Sequence, residues 1–222
     1  MPARAAFARC WPEAFCFDLL DTSLAVDWST RGELDDAMAD RFQVLGRYAA
    51  ESAGAAGRTG AILFTCSAFG PAIDAVKSQL PIAVLRPNEA AFEHALRLGE
   101  NIGLVVTFPP SLPMLQRELQ EMAAARGHRI AVQGVQVAAA LEALKAGDGE
   151  TDDWLVVEAC GELGAVDVVV LGQFSLARAA PPLRDLVPVP VLITPDCAVQ
   201  ALRSRLGDPG PDGPTGWEVS PE

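Results

Sequence analysis

The stretch AILFTCSAFGPAIDAVKSQLPIAVLRPNEA, residues 61–90, decides the fold, because a later stretch repeats its layout. Residues 168–198 read VVVLGQFSLARAAPPLRDLVPVPVLITPDCA. Each stretch contains an apolar strand, a polar turn, a helix, a second strand and then proline followed by Asn or Asp. The proline follows the end of the first strand by 21 residues (positions 66 to 87) and by 22 residues (positions 173 to 195). This matched spacing indicates an internal repeat, with Cys66 and Gln173 at equivalent strand ends.

Outward from these stretches, short apolar runs alternate with longer segments rich in Ala, Leu and charged residues. Each run has four to eight residues and is bounded by Gly, Pro, Asp or Thr, which is typical of strands buried on both faces of a parallel sheet. The alternation predicts βαβ units and an α/β fold. The predicted strands are residues 15–20, 61–65, 82–85, 102–107, 129–135, 166–171 and 189–194. The predicted helices are residues 36–53, 88–99, 111–125 and 152–163.

The repeat also defines the domain organisation. We predict a first half at residues 1–92, completed by a helix at 196–206, and a second half at 93–195. The remaining segment, 207–222, is dense in Gly and Pro and is predicted to be a flexible tail. Ligands of open α/β sheets bind beyond the carboxyl ends of the strands. We therefore expect Cys66 and Gln173 to face each other across a cleft between the halves.

The first half lacks an apolar run that the second half has. The second half opens with strands starting at positions 102 and 129, which are 27 residues apart. The first half has a counterpart of the later strand at 15–20, with no apolar run before it. The same offset would start the missing strand about a dozen residues before Met1. We expect this strand to be central in the sheet, and the chain without it to be loosely packed in its first half.

Composition excludes several classes of partner. The chain of 222 residues is 50% hydrophobic and has 17 Lys+Arg against 29 Asp+Glu, a net charge of −12. This acidic balance disfavours binding to nucleic acid and to anionic membrane surfaces. No signal sequence or membrane-spanning run is visible. The five cysteines form no C-x-x-C pair, which favours reduced thiols and a cytoplasmic location.

Cys66 is the strongest candidate for chemistry. It ends a predicted strand and precedes a Gly70–Pro71 turn into a helix, where free backbone N–H groups could bind a carboxylate and lower the thiol pKa. The alternative is that Cys66 is a small core residue, since free cysteine is among the most buried residue types. Taken alone, Gln173 is best interpreted as a side chain that bonds loop backbone. The two histidines have no ligand partner at helical spacing, so neither a metal site nor a Ser–His–Asp triad is expected.

Two α/β halves that each offer a strand-end residue resemble the aspartate/glutamate/hydantoin racemase family, which includes arylmalonate decarboxylases and maleate isomerases. The resemblance covers residues 15–206. It rests on FTCSAFGPAIDAV (64–76), PIAVLRPNEAAFEHAL (81–96), VVVLGQFSLARAAP (168–181) and PVLITPDCAV (190–199). It implies two pseudo-symmetric, flavodoxin-like halves with mostly parallel sheets and an intervening cleft. It further implies a small carboxylate substrate, no cofactor and no metal, and it leaves a homo-oligomer open.

In the family's racemases, a cysteine from each half flanks the substrate and the two exchange a proton α to its carboxylate. By this resemblance Cys66 is the catalytic cysteine of the first half. Gln173 stands where the second cysteine belongs, and an amide donates hydrogen bonds but does not shuttle protons. The residues that the resemblance assigns to substrate binding are Thr65, Ser67, Ala68, Asn88, Gln173, Phe174 and Ser175.

Four kinds of function are compatible with this pattern. The first is a cofactor-independent isomerase or racemase that acts α to a carboxylate through Cys66. The second is a one-cysteine decarboxylase, in which CO2 leaves one face and the thiol protonates the other. The third is a protein that binds small carboxylates without turnover. An interaction protein descended from the fold is a further alternative.

Overall fold

The computed structural model describes residues 1–54 and 56–207, so most of the predicted tail, 208–222, lies outside the described residues. Within that range the chain alternates strands with helices, as the apolar runs predict. The helices are α1 (Pro2–Cys10), α2 (Ser23–Arg31), α3 (Asp36–Glu51), α4 (Gly70–Gln79), α5 (Glu89–Leu98), α6 (Ser111–Ala124), α7 (Ala138–Lys145), α8 (Gly149–Cys160), α9 (Ala180–Leu186) and α10 (Thr194–Arg205). The strands are β1 (Ala53–Gly54), β2 (Gly57–Arg58), β3 (Ala61–Leu63), β4 (Ala83–Leu85), β5 (Asn101–Val106), β6 (Ala131–Gln136), β7 (Val168–Leu171) and β8 (Val191–Ile193).

The second half contains a four-stranded parallel sheet in the order β6-β5-β7-β8. Alternate residues of the central strands point to opposite faces. Leu104 packs in a cluster with α5 and α6, whereas Val105 packs in a cluster with α8 and α9. Both residues are fully buried. Burial of both faces explains why these strands are continuous apolar runs rather than alternating ones.

The first half has a smaller sheet, in which β3 and β4 pair in parallel with Leu63 opposite Leu85. Helices α3 and α4 cover one face of this pair, and α1 and α10 cover the other. In the described residues β3 pairs with β4 alone, so its other edge has no strand partner. A separate short antiparallel pair, β1 and β2, precedes β3.

The prediction of a strand at 15–20 is wrong. This segment has no strand structure. Its side chains Phe15, Phe17, Leu19 and Leu20 are all exposed. A strand is stable only when its backbone groups are paired with a neighbour, and in the described residues β3 pairs with β4 and not with this segment.

The helices that follow β4 and β8 cross between the halves. Phe92 and Ala95 of α5 are buried against the second-half sheet. Conversely, Ala198 and Leu202 of α10 pack on Leu85 of β4, and α10 also lies along α1. Each half is therefore covered in part by a helix that follows a strand of the other half. Helix α5 follows β4 and covers the second-half sheet, and α10 follows β8 and covers the first-half sheet.

Among the described helices, none combines the length and the apolar character that a membrane crossing requires.

Candidate active site

The turns after β3 and β7 have the same local structure. Cys66 has φ −118° and ψ 122°, and Gln173 has φ −139° and ψ 146°, so both residues are extended. A 3₁₀ turn follows each of them, Ser67–Phe69 and Phe174–Ala179, and an α-helix begins directly afterwards. Because both strands are parallel members of their sheets, both residues lie beyond carboxyl strand ends.

Cys66 is an exposed residue whose sulfur lies close to the surrounding protein. Of the five cysteines, all of which lie in the described range, Cys66 is the exposed one and Cys160 is buried. The protein around its Sγ still removes water from the thiol, and this burial raises the pKa of Cys66. The backbone N–H of Ala68 donates to the thiol and opposes that shift. The expectation of a lowered thiol pKa is therefore wrong, because desolvation outweighs the hydrogen bond from the turn.

The other first-half residues assigned to binding differ in accessibility. Thr65 is exposed and Ser67 is half-buried, whereas the Ala68 side chain packs in the core beneath the turn. Asn88 lies after β4 with only 1% of its surface exposed. Neither its Oδ1 nor its Nδ2 has a hydrogen-bond partner in the described chain. A buried, unsatisfied amide is costly, so a bound group that met the Asn88 amide would remove this cost.

Gln173 is held by the end of β5. Its Oε1 accepts hydrogen bonds from Thr107 N–H at 2.6 Å, from Thr107 Oγ1–H at 2.9 Å and from Phe108 N–H at 3.2 Å. Pairing of β5 with β7 brings these donors to the end of β7, since Gly172 N–H donates to Val105 O at 2.8 Å. Gln173 thus does bond loop backbone, through its oxygen.

The two residues after Gln173 differ in role. The Phe174 side chain is buried and packs with Leu85 of β4 and Ala198 of α10. It therefore anchors the second turn on the first half. Ser175 is half-buried.

Both turns lie at the boundary between the halves. The 3₁₀ turn after Cys66 lies against α6 of the second half. Phe108, beside the Gln173 amide, packs edge-on against Trp28 of α2 with ring centroids 5.9 Å apart. That Cys66 and Gln173 face each other directly stays a prediction.

Two residues at this boundary were missed by sequence reasoning. Thr107 is a polar residue that ends the apolar run at 102–107, which was the available signal in the sequence. In the structure it is buried. Arg86 follows β4 and pairs with Asp74 of α4 and with Glu118 of α6. Burial raises the pKa of Glu118, and the Arg86 guanidinium opposes this. The site therefore contains a cation that is already neutralised by two carboxylates.

Two surface cavities lie away from Cys66. One of about 170 Å³ lies between α5 and α10 beside His94 and Cys197. The other, of about 270 Å³, lies beside Cys160 and Val189 at the opposite ends of the strands. In the described residues no group of three or more His, Cys, Asp or Glu side chains is placed to hold a metal ion.

Comparison with solved structures shows the same fold. Glutamate racemase from Thermus thermophilus, in complex with β-chloro-D-alanine, superposes with a TM-score of 0.64 at 16% identity, covering 92% of this chain and 75% of that one. Glutamate racemase from Francisella tularensis, in complex with D-glutamate, gives 0.62 at 13% identity, with 92% and 76% covered. A liganded arylmalonate decarboxylase variant, in which a glycine is replaced by cysteine and a cysteine by serine, gives 0.57 at 14% identity, with 92% and 87% covered.

The comparison of sequences places the chain in a family. No curated protein matches it significantly. The family model described as Asp/Glu/Hydantoin racemase matches residues 4–202. This match spans most of the 222 residues and includes both strand-end turns, so the chain belongs to the Asp/Glu/Hydantoin racemase family.

Proposed function

We propose that this protein is a cofactor-independent enzyme that protonates one face of a carbon α to a carboxylate, with Cys66 as the proton donor. Membership of the racemase family supports an isomerase, racemase or decarboxylase-like activity. The observation that carries the finer proposal is that the exposed residue Cys66 stands at one strand end and the tethered amide of Gln173 at the equivalent one.

The presence of Gln173 in place of a second cysteine argues against two-base racemisation. Inversion at a carbon by two bases needs one group to remove a proton from one face and another to deliver a proton to the other face. Gln173 has no proton to exchange at neutral pH. A single thiol is sufficient for decarboxylation, in which the bond from the α-carbon to one carboxyl breaks and CO2 leaves. The electron pair stays on the remaining enediolate, which takes a proton from the Cys66 S–H, and the thiolate is reprotonated by solvent.

The raised pKa of Cys66 supports the role of donor. Because burial favours the neutral thiol, the proton is present on sulfur at neutral pH. A base role would need the thiolate, which the bond from Ala68 N–H promotes only in part. The site is therefore better suited to give a proton to a carbanion than to remove one from a resting substrate.

Groups around the two turns are suited to hold the remaining carboxylate. The half-buried hydroxyl of Ser67 lies next to the thiol in sequence. The amide of Asn88 is unbonded and follows the neighbouring strand. Donors of this kind stabilise an enediolate more than its parent carboxylate, because negative charge grows on the oxygens in the transition state.

The test is turnover of three substrates that separate the reactions: phenylmalonate for decarboxylation, glutamate for racemisation and maleate for isomerisation. We expect CO2 release from phenylmalonate, loss of it in Cys66→Ser, and nearly wild-type rates in the control Cys197→Ala. In D2O, one-sided protonation would give a single deuterated enantiomer.

Other results would contradict the proposal in different ways. Glutamate racemisation at comparable rate would restore a two-base mechanism with a second acid elsewhere. Equal losses in Cys66→Ser and Cys197→Ala would show that stability, not chemistry, was measured. Binding of all three compounds with no turnover would leave a carboxylate-binding protein.

A further inference from the structure

The Gln173 amide has a single possible orientation. Two of the three groups that meet its Oε1 are backbone N–H donors, from Thr107 and Phe108. An amide rotated by 180° would place its own N–H groups against these donors, and an amide nitrogen accepts no hydrogen bond. The amide oxygen is therefore fixed at the end of β5, with the nitrogen on the opposite side.

The nitrogen of this amide is available to donate hydrogen bonds to a ligand. Within residues 1–54 and 56–207, Gln173 Nε2 donates to no protein acceptor, although the residue is half-buried. It is also absent from the buried side-chain atoms that lack a partner, so it is open to solvent. Two N–H donors thus have no acceptor in the described protein at the carboxyl end of β7, where ligands of such sheets bind.

We infer that Gln173 is a fixed, neutral hydrogen-bond donor for an oxygen of the substrate, and that Thr107 is the positioning residue that holds it so. The inference rests on the proposed function for the identity of the substrate class, a small carboxylate. The amide can meet a carboxylate or carbonyl oxygen, and it cannot accept a bond from an ammonium or hydroxyl group. In this way the second half contributes recognition of an acceptor where a second thiol would contribute a proton.

Three donors meet the uncharged Oε1 of Gln173, and the two backbone N–H groups among them fix the direction of its nitrogen. A freely rotating glutamine could turn either its oxygen or its nitrogen toward a ligand. With two backbone N–H groups on one side, the cost of turning is the loss of both of their bonds, whereas the Thr107 hydroxyl could either donate or accept. Preorganised donors of this kind need no rearrangement when charge develops on a bound oxygen.

Four variants test this. Gln173→Glu keeps an oxygen for the three donors but has no N–H. Gln173→Met is uncharged and similar in length but lacks both groups. Thr107→Val removes one donor to Oε1, and Thr107→Ser restores it. The probe is malonate, measured by calorimetric titration and by its protection of Cys66 from iodoacetamide, at 0.05 and 0.5 M salt, with urea unfolding of every variant.

We expect malonate affinity to fall roughly 10- to 100-fold in both Gln173 variants, the range for one hydrogen bond to a charged group. Charge repulsion alone would affect only Gln173→Glu and would fade in high salt. Loss of the tether alone would affect only Gln173→Met. Thr107→Val should raise KM for the turned-over substrate more than it lowers kcat, and Thr107→Ser should reverse that change.

The inference and the proposed function fail separately. Wild-type affinity in a folded Gln173→Glu variant would overturn the inference while leaving Cys66 chemistry intact. Malonate binding by the wild type that depends on Gln173, but without turnover of any substrate, would sustain the inference and remove the proposed function. Absence of malonate binding by the wild type would overturn the inference as well.

Discussion

Arg86 at the end of β4 and Glu118 on α6 form an ion pair between the two halves, with Arg86 Nη1 3.2 Å from Glu118 Oε1. Both side chains are mostly buried, at 22% and 13% exposed. Asp74 on α4 binds the same guanidinium from within the first half. Arg86 also lies beside the end of the turn that follows Cys66, since a Cβ on Gly70 would lie 3.7 Å from Arg86 Nη1. The ion pair therefore links α6 to that turn.

Removal of Arg86 should destabilise the protein in a pH-dependent way. Arg86→Met leaves the Glu118 carboxylate without its cation, at a cost of about 1–3 kcal/mol. The pKa of Glu118 is already raised by burial, and it should rise further without Arg86. A raised carboxyl pKa lowers stability as pH increases above the ordinary value, so the loss should be larger at pH 8 than at pH 5.

Urea unfolding of Arg86→Met at the two pH values measures this. The matched control is Arg117→Met, whose pair with Glu121 spans 4.0 Å and is 69% and 72% exposed. Exposed pairs of this kind contribute about 0–1 kcal/mol. A pH-independent loss in Arg86→Met would show that Glu118 does not depend on the guanidinium.

Gly172 should not tolerate a side chain. A Cβ there would lie 3.1 Å from Leu104 Cδ1 and from Val106 Cγ1, in the core beneath Gln173. Gly172→Ala should therefore cost about 1–3 kcal/mol through overpacking. Gly60→Ala is the control, since its nearest neighbour, Leu206, is at 3.6 Å. Thermal unfolding of both variants checks this, and equal melting temperatures would mean that the core relaxes freely.

Cys66 should alkylate slowly at neutral pH and faster as pH rises. Only the thiolate reacts, and the pKa of Cys66 is raised above its ordinary value of 9.0 by burial. Iodoacetamide rates at pH 7 to 10, followed by mass spectrometry of the peptides that contain each cysteine, measure the titration. Burial raises the pKa of Cys160 to about 11, so Cys160 should stay unmodified until the protein unfolds. A half-maximal rate for Cys66 below pH 8.5 would contradict the donor role.

The exposed segment at 15–20 should promote self-association. Phe15 and Leu20 are 71% and 72% exposed, and exposed large apolar side chains close together in the sequence favour association. Phe15→Ser with Leu20→Ser should lower the weight-average mass in sedimentation velocity, with a free energy of unfolding unchanged within about 0.5 kcal/mol. Tyr48→Ser, at a 62% exposed position on α3, serves as the control. An unchanged mass would leave this segment without a role in assembly.

The strand–turn–helix units around Cys66 and Gln173 could be predicted from sequence. A buried parallel strand needs an apolar run of its own, and a turn into a helix needs small and polar residues directly after it. Both requirements are local, so the repeat at residues 61–90 and 168–198 was sufficient to place both residues at strand ends. Membership of the family could also be predicted from sequence, because the matched turns indicated it.

Contacts between distant residues were decided only by the tertiary structure. Thr107 and Gln173 are 66 residues apart, and their hydrogen bonds exist because β5 and β7 pair in one register. The segment at 15–20 has the composition of a strand but is paired with no strand in the part of the chain that the structure describes, and a strand cannot supply its own hydrogen bonds. The pKa of Cys66 likewise depends on how much water the folded chain removes from its sulfur, and sequence alone carries no measure of that desolvation.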